Sequence, residues 1–210
     1  MTEPTIPLDR VAKFIRQLTH DVRNGLSAID LEAAFIAEIA TEKDVLAETR
    51  KLRDMIAETA QLLRGISQYF QPVNAHCIPW SATAVMEEIR KHLGIEPENR
   101  FTNETLHIDL LQTLTALTAL VKNAQEPPRL TGFVENNHAV LELREPKTIP
   151  PISLEEWGIP LYTTRTGSYG LGLYQAKKIA EAQNGVLEIQ WRDGMLITRL
   201  TLPLEASENF

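Results

Sequence analysis

Two long runs of apolar residues at helical spacing are the strongest constraint on how this 210-residue chain can fold. Steps of three and four residues place each run on one stripe of a helix. The first stripe consists of Val11, Ile15, Leu18, Val22, Leu26, Ile29, Ala33 and Ile36. The second consists of Val45, Leu52, Met55, Ile56, Leu62, Leu63, Ile66 and Tyr69. The short polar link from Ala40 to Asp44 predicts an antiparallel helical hairpin.

A single hairpin with stripes this wide leaves apolar surface in water when its two helices pack only against each other. Two copies of the hairpin can bury that surface by pairing into a four-helix bundle. We therefore expect a homodimer, because a closed twofold pair is the commonest way for a chain to cover a self-complementary face.

The second part of the chain mixes helix and strand patterns. The segment from Gln71 to Pro79 breaks the helical pattern and is predicted to be a linker. Beyond it, helices are predicted at Ser81–His92, Asp109–Glu126 and Leu171–Gln183, and strands at Leu106–Ile108, Ala139–Leu143, Val186–Trp191 and Met195–Leu202. Because these patterns do not alternate as in a parallel sheet, we expect an α+β fold with helices on one side of a sheet. The expected domains are residues 1–74 and 75–210.

Composition narrows the class of protein. Apolar residues make up 43% and charged residues 23% of the chain, as in proteins with a packed core. A net charge of −7 argues against nucleic acid as a partner. The single cysteine, Cys77, fits a reducing compartment. We see no signal peptide and no apolar run of membrane-spanning length, so we expect a cytoplasmic protein that does not enter a membrane.

His20 lies two residues after Leu18, roughly 200° around the predicted helix, so its ring should face solvent. Asp21 is adjacent, and Asn24 follows one turn later on the same face. An exposed imidazole beside a carboxylate can attack phosphorus, because the carboxylate favours the reactive tautomer of the ring. Asn24 could instead orient a water toward a phosphoryl group. A surface histidine without any role is the plain alternative.

The order His-Asp-x-x-Asn from His20 to Asn24 resembles the phosphoacceptor box of dimerising histidine kinases. The wider run to Ile29 is similar to their His-Glu-x-Lys/Arg-Asn-Pro-Leu-x-x-Ile pattern, with Gly25 in the place of the proline. The resemblance implies that His20 is phosphorylated and that Asp21 and Asn24 assist the chemistry.

Two further segments resemble the ATP-binding domain of the same family. Residues 117–126 resemble its N box, which implies that Asn123 holds Mg²⁺ when a nucleotide binds. Residues 163–173 resemble its Thr-Thr-Lys…Gly-x-Gly-Leu-Gly-Leu box. Glycines there allow close backbone approach, and the following helix presents free N–H groups to phosphate. The nucleotide-binding residues implied are Asn123, Arg165, Gly167, Gly170, Leu171 and Gly172.

The family's Asp-x-Gly-x-Gly box, which receives adenine, has no complete counterpart in this chain. The strand predicted at residues 139–143 runs into Arg144-Glu145-Pro146-Lys147, so that Glu145 takes the aspartate position and neither glycine is present. Three prolines within residues 146–151 stiffen the segment. The resemblance implies ATP and Mg²⁺ as cofactors, whereas the missing glycines argue against adenine binding.

Three functions are therefore open. A histidine phosphotransfer protein would pass phosphoryl groups between His20 and an aspartyl receiver domain. A divergent autokinase would transfer the γ-phosphoryl group of ATP to His20. A non-catalytic dimer would only bind the receiver domain. In each case the implied partner is a response-regulator receiver domain, which is expected to dock near His20 where Lys13, Arg16 and Arg23 could meet its acidic pocket.

Overall fold

The structure is a computed structural model that describes residues 7–124, 126–147 and 171–205 of the chain. The chain divides into two compact units, Met1–Pro72 and Val73–Phe210. Within the described ranges, no helix is both long and apolar enough to cross a bilayer.

The first unit is a pair of long helices, α1 (Leu8–Ile39) and α2 (Lys43–Tyr69), joined by three residues. This confirms the helical hairpin predicted from the two apolar stripes. Arg16 of α1 donates from Nη1 to the Phe70 carbonyl at 2.7 Å, which ties the beginning of α1 to the end of α2. Such a bond satisfies one of the carbonyls that every helix leaves without a partner at its C-terminus.

The interior of the hairpin is small. Its buried residues are Ala12, Thr19, Ala33, Thr49, Ile56, Ser67 and Phe70. Large apolar side chains along both helices stay exposed instead, namely Leu8, Phe14, Leu18, Val22, Ile29, Leu31, Phe35, Ile36, Ile39, Val45, Leu52, Met55 and Leu62. Exposed apolar area of this extent is typical of surfaces that contact another molecule.

In its described residues, 73–124, 126–147 and 171–205, the second unit combines three helices with seven strands. Its elements are β1 (Ile78–Ser81), α3 (Ala82–Leu93), β2 (Glu98–Asn99), β3 (Thr105–Ile108), α4 (Leu110–Asn123), β4 (Arg129–Glu135), β5 (His138–Pro146), α5 (Gly172–Ala182), β6 (Val186–Arg192) and β7 (Met195–Pro203). Strands β1 and β3 form a two-stranded antiparallel sheet, and the other five form a sheet in the order β2-β4-β5-β7-β6. Among the described strands of that larger sheet, β2 and β4 are the one pair that runs in parallel. The α+β fold predicted from the mixed patterns is confirmed.

One continuous core lies between the helices and one face of the five-stranded sheet. Leu117 of α4, Ile179 of α5 and Leu141 of β5 are completely buried in it. Because side chains alternate along a strand, Ala139, Leu141 and Leu143 point into this core and the residues between them point to the outer face. This alternation separates a helix-facing side of the sheet from an outer side.

Capping residues set the starts of two helices. Asp109, the first residue of the predicted helix, caps α4 by accepting from the Gln112 N–H at 3.0 Å. Ser81 accepts from the Ala84 N–H at 3.3 Å and so caps α3, which begins one residue later than predicted. At its other end α4 stops at Asn123, three residues earlier than expected.

Three strands were missed in the sequence analysis. The linker predicted at residues 71–79 is wrong at its end, because Ile78 and Pro79 belong to β1 and pair with β3. Strand β2 is too short to leave a pattern. Strand β4 contains Gly132, where a Cβ would lie 2.5 Å from the Phe101 ring. The glycine is needed for close packing within the strand.

Candidate functional sites

His20 lies on the outward side of α1, and about 64% of its side chain is exposed. The neighbouring Thr19 is 3% exposed, and its hydroxyl donates to the Ile15 carbonyl at 2.8 Å. Successive residues of a helix differ by about 100°. Burying Thr19 inside the hairpin therefore turns the His20 ring toward solvent, where another protein can reach it.

Asp21 holds one edge of the His20 ring. Its Oδ1 atom lies 3.2 Å from the Nδ1 atom of His20. When Nδ1 carries the ring proton, it donates to this carboxylate and leaves Nε2 with the free lone pair. The exposed Nε2 atom is then the nucleophilic nitrogen, and the negative charge of Asp21 stabilises any positive charge that develops on the ring.

Gln17, a residue that the sequence analysis did not single out, fixes the position of Asp21. Its Nε2 atom donates to Asp21 Oδ1 at 2.9 Å from one turn earlier in α1. The hydrogen bonds from His20 and then Gln17 hold the pKa of Asp21 below its ordinary value of 3.8. The four-residue spacing of Gln17 and Asp21 on a helix was the signal that could have revealed this contact.

Asn24 approaches the same ring nitrogen from the next turn of α1, with its Nδ2 atom 3.3 Å from His20 Nδ1. Nδ1 can donate to Asp21 when it is protonated or accept from Asn24 when it is not, because a ring nitrogen holds either a proton or a free lone pair. The Asp21 contact favours the tautomer with a nucleophilic Nε2. The Asn24 contact favours the tautomer in which Nε2 carries the proton and cannot attack.

The three basic residues expected near the docking site differ in their surroundings. Lys13 is exposed, and Arg23 is half-buried. Arg16 is exposed but already donates to the Phe70 carbonyl. Lys13 is therefore the basic side chain most accessible to an acidic partner.

In the second unit, Asn123 is the final residue of α4 and is half-buried. Helix α5 begins beside the last turns of α4, since a Cβ at Gly172 would lie 3.8 Å from the Ala119 Cβ. Leu171, just before α5, is 3% exposed. The structure thus brings the last part of the glycine segment close to the helix that ends in Asn123. Arg165, Gly167 and Gly170 lie outside the described residues.

Glu145 is a buried carboxylate at the end of β5, with 6% of its surface exposed. It continues the row of Ala139, Leu141 and Leu143 and so lies on the helix-facing side of the sheet. Burying a carboxylate is costly unless it has a polar partner. It lies at the strand end, on the side of the sheet where α4 and α5 pack.

The backbone directly after Glu145 is held against the β6–β7 hairpin. Pro146 pairs with Met195, and the Lys147 N–H donates to the Gly194 carbonyl at 2.7 Å. The indole N–H of Trp191 donates to the Lys147 carbonyl at 3.1 Å. Lys147 stands where the family pattern has its first glycine. These hydrogen bonds fix its backbone as an extension of β5, and the position carries a lysine side chain where the pattern has none.

Some described residues suit a nucleotide. Glu145 could accept from the amino group of an adenine, and the Asn123 amide oxygen is a hard ligand of the kind that Mg²⁺ prefers. Among the residues that the structure describes, no group of three His, Cys, Asp or Glu side chains could hold a metal ion. A Mg²⁺ ion at Asn123 could also bind oxygens of the nucleotide phosphates, as Mg²⁺ does in many phosphoryl-transfer sites.

The fold is that of histidine kinases, as solved structures show. No protein-family model matches the sequence, and no curated protein matches it either. Full-length ShkA in complex with AMPPNP superposes with a TM-score of 0.62 at 13% identity, over 91% of this chain and 46% of ShkA. The chain thus spans less than half of ShkA. The resemblance predicted from the sequence is confirmed at the level of the fold.

Two other structures agree with this result. The Acinetobacter baumannii histidine kinase AdeS matches with a TM-score of 0.52 at 15% identity, over 89% of this chain and 95% of that chain. The catalytic domain of histidine kinase ThkA, in a nucleotide-free form, matches with a TM-score of 0.52 at 18% identity, over 61% of this chain and 95% of that domain. The matches to ShkA and AdeS cover more of the chain than either compact unit contains.

Proposed function

We propose that this protein is a histidine phosphotransfer component of two-component signalling, in which His20 carries the phosphoryl group. The observation that carries the proposal is the exposed His20 ring with its Nδ1 atom 3.2 Å from the Asp21 carboxylate. The histidine-kinase fold supports two-component signalling in general. The proposal extends this to one residue, His20, and to the exchange of a phosphoryl group with aspartyl receiver domains.

In the proposed reaction, Nε2 of His20 attacks the phosphorus of an aspartyl phosphate on a receiver domain. A nitrogen–phosphorus bond forms, and the phosphorus–oxygen bond to the aspartate breaks, which returns the carboxylate of the receiver. The ring becomes more positive as its lone pair is used, and Asp21 stabilises that charge through the Nδ1 proton. The reverse sequence of bond changes passes the phosphoryl group to a second receiver.

A homodimer is part of this proposal. Leu18, Val22, Ile29 and Ile36 form an exposed stripe along one side of α1. A second copy of the hairpin would cover this stripe in a four-helix bundle. His20 lies on nearly the opposite side of α1 from the stripe, roughly 180° from Ile29 by helix geometry. Pairing through the stripe therefore leaves His20 free to meet a receiver domain.

The receiver is proposed to dock over the exposed side of α1 with Lys13 near its acidic pocket. Arg16 is expected to contribute less, because its Nη1 atom is used by the Phe70 carbonyl. Lys13→Glu should slow phosphoryl transfer severalfold at low ionic strength, and the effect should shrink as salt screens the charges. A transfer rate that is the same for Lys13→Glu and the unaltered protein would contradict this docking site.

An ATP-dependent autokinase is the second candidate, and the buried Glu145 on the helix-facing side of the sheet favours it. Asn123 and Gly172, on neighbouring helices, are where the family pattern places the Mg²⁺ and phosphate contacts. Against this candidate, the residue after Pro146 is Lys147, whose backbone is bonded on both sides to the β6–β7 hairpin. We therefore place phosphotransfer first.

The experiment that separates the two candidates compares two phosphoryl donors. The purified protein is incubated with γ-labelled ATP and Mg²⁺, and separately with a panel of labelled, phosphorylated receiver domains. Label from a receiver but not from ATP supports phosphotransfer. Label from ATP that is lost in Glu145→Gln supports the autokinase. Label from neither donor contradicts both and leaves the non-catalytic receiver-binding dimer.

A further inference from the structure

The outer face of the five-stranded sheet carries a cluster of arginines that the proposed function does not use. They surround a cavity of about 210 Å³. The residues of this cavity that matter here are Glu98, Arg100, Arg129, Glu142, Arg144 and Arg199. Glu142 and Arg144 alternate with core-facing Leu141 and Leu143, which places the cavity on the side of the sheet away from the helices.

Glu142 organises two of the arginines. Only 4% of its side chain is exposed, its Oε1 accepts from Arg144 Nε at 2.6 Å, and its Oε2 accepts from Arg199 Nε at 2.7 Å. Burial alone would raise the pKa of Glu142, but the hydrogen bonds from the two arginines outweigh it and hold the pKa below its ordinary value. The carboxylate is therefore charged, and it fixes both guanidinium groups through their Nε atoms.

Arg199 is held at two further points. Its Nη1 donates to Glu135 at 2.9 Å, and its guanidinium lies 5.9 Å from the centroid of the Phe133 ring. Arg144 contacts Glu142 through Nε, which leaves the fork of its terminal nitrogens at the cavity. A guanidinium that is already fixed loses little conformational entropy when it binds an anion.

Arg129 occupies a position in β4 where its positive charge does not stabilise the sheet. It is the cross-strand partner of Arg144 in the β4–β5 pair, so that two positive side chains stand directly opposite each other. Like charges in this arrangement destabilise a sheet. The Arg129 side chain has no hydrogen bond or ion pair with any other residue that the structure describes. The charge of Arg129 acts on nearby Glu98, but that carboxylate accepts a hydrogen bond from Arg100 at 2.7 Å and makes none with Arg129.

The charges and the size of the cavity define what can occupy it. Four arginines and two glutamates, Glu98 and Glu142, line the cavity, and Glu135 also pairs with Arg199, which leaves an excess of one positive charge in a chain whose net charge is −7. The volume is below the roughly 300 to 1,000 Å³ of pockets for drug-sized ligands. Guanidinium forks match the oxygens of phosphate in geometry and charge.

We propose that this cavity is a binding site for a phosphate group, either inorganic phosphate or the phosphate of a small monoester, held between Arg129 and Arg144. The anion would offset the repulsion between these two cross-strand arginines and contact the guanidinium forks that Glu142 fixes. The proposal does not depend on His20, because the cavity and its residues belong to the sheet of the second unit.

The test uses calorimetric titration of the full chain with inorganic phosphate and with methyl phosphate at low ionic strength. Arg129→Gln should raise the dissociation constant at least about tenfold, as expected for the loss of a charge-assisted contact. Arg129→Lys should also weaken binding, because it keeps the charge and loses the fork. Arg192→Gln is the control, since Arg192 is an exposed residue of β6 that pairs with Asp193.

Thermal unfolding without phosphate gives the second readout. Removing one of two opposed positive charges should raise the midpoint of Arg129→Gln by roughly one to four degrees. Tighter binding of methyl phosphate would identify a small monoester as the ligand, and equal or weaker binding would identify free phosphate. Binding unchanged in Arg129→Gln, no binding in the unaltered protein, or a lower midpoint in the variant would each overturn the proposal.

Discussion

The two compact units bury their apolar residues to very different degrees. In the hairpin, Leu18, Val22, Ile29 and Ile36 keep between 38% and 48% of their surface exposed. In the second unit, Leu106, Leu117, Leu141 and Leu200 are completely buried. A unit of the first kind depends on something else to cover it, whereas a unit of the second kind can supply its own stability through close packing. His20, the residue proposed to react, belongs to the hairpin, the unit whose apolar residues stay exposed.

The largest effect is expected from a charge in the exposed stripe of α1. Ile29→Glu should convert the proposed dimer into a monomer, because a carboxylate would be buried without a partner at the twofold interface. Analytical ultracentrifugation of the unlabelled protein measures this directly.

Leu31→Glu is the matched control for the stripe. Leu31 is 70% exposed and lies two residues from Ile29, roughly 200° around the same helix. Leu31→Glu should leave the molecular mass of the proposed dimer unchanged. Dissociation by both variants, or by neither, would show that the stripe is not the interface.

The second unit should respond to the loss of packing within its own core. Leu117→Ala on α4 should lower the free energy of unfolding of this unit by about 2–5 kcal/mol, because it removes a completely buried side chain and leaves a cavity. Leu111→Ala, on the same helix but 70% exposed, should change it by less than about 0.5 kcal/mol. Urea titration followed by tryptophan fluorescence compares them, and equal losses would mean that the core is misassigned.

A smaller effect is expected where a buried amide joins α4 and α5. Gln183 is 1% exposed, and its Oε1 accepts from the Asp109 N–H at 2.7 Å and from the Thr113 hydroxyl at 3.2 Å. Gln183→Leu should cost about 1–3 kcal/mol of unfolding free energy, because buried donors lose their partner. Gln190→Leu, at an exposed position of β6, should cost almost nothing in the same urea titration. If Gln183→Leu loses no more unfolding free energy than Gln190→Leu, the hydrogen bonds of Gln183 do not stabilise the fold.

The smallest effect is expected at Gln17, on the exposed side of α1. Gln17→Leu should raise the pKa of Asp21 toward its ordinary value of 3.8, because it removes one of the two hydrogen bonds that lower it. A lowered pKa means that the contribution of Asp21 to stability is present above pH 3.8 and is lost as the pH falls through the lower folded-state value. The variant should lose that contribution at a higher pH.

Carboxyl-carbon NMR titration of Asp21 measures this shift, and phosphoryl transfer should slow by about two- to threefold. Gln61→Leu on α2 is the control of the same residue type. An Asp21 titration that is identical in Gln17→Leu and the unaltered protein would rule out the contact.

The sequence predicted the elements whose signals are local. The helical hairpin followed from spacing, and the start of α4 lies within one residue of the helix predicted from Asp109. The strands predicted at 186–191 and 195–202 are joined at Asp193 and Gly194, which adopt positive φ angles of 52° and 74°. Strands β1 and β4 were missed because the reasons for them are tertiary. The segment that ends at Pro79 was predicted to be a linker, but its last residues pair with β3. The tolerance of Gly132 within β4 depends on the Phe101 ring packed against it.

In the candidate sites, too, the sequence predicted the features that depend on local spacing and missed those that depend on tertiary contacts. The exposure of His20 and the closeness of Asp21 and Asn24 follow from helix geometry, which the sequence encodes. The competition of Asp21 and Asn24 for one ring nitrogen could not be predicted, because it depends on side-chain rotamers. The outer-face arginines were also missed, since Arg129, Arg144 and Arg199 come together only through strand register.

The central claim is that His20 accepts a phosphoryl group, and one measurement tests it most directly. Unaltered protein, His20→Ala and His92→Ala are each incubated with a labelled, phosphorylated receiver domain, and the label transferred to this chain is measured before and after acid treatment. Acid-labile label is expected on the unaltered protein and on His92→Ala, and none on His20→Ala. Label that persists on His20→Ala would contradict this claim.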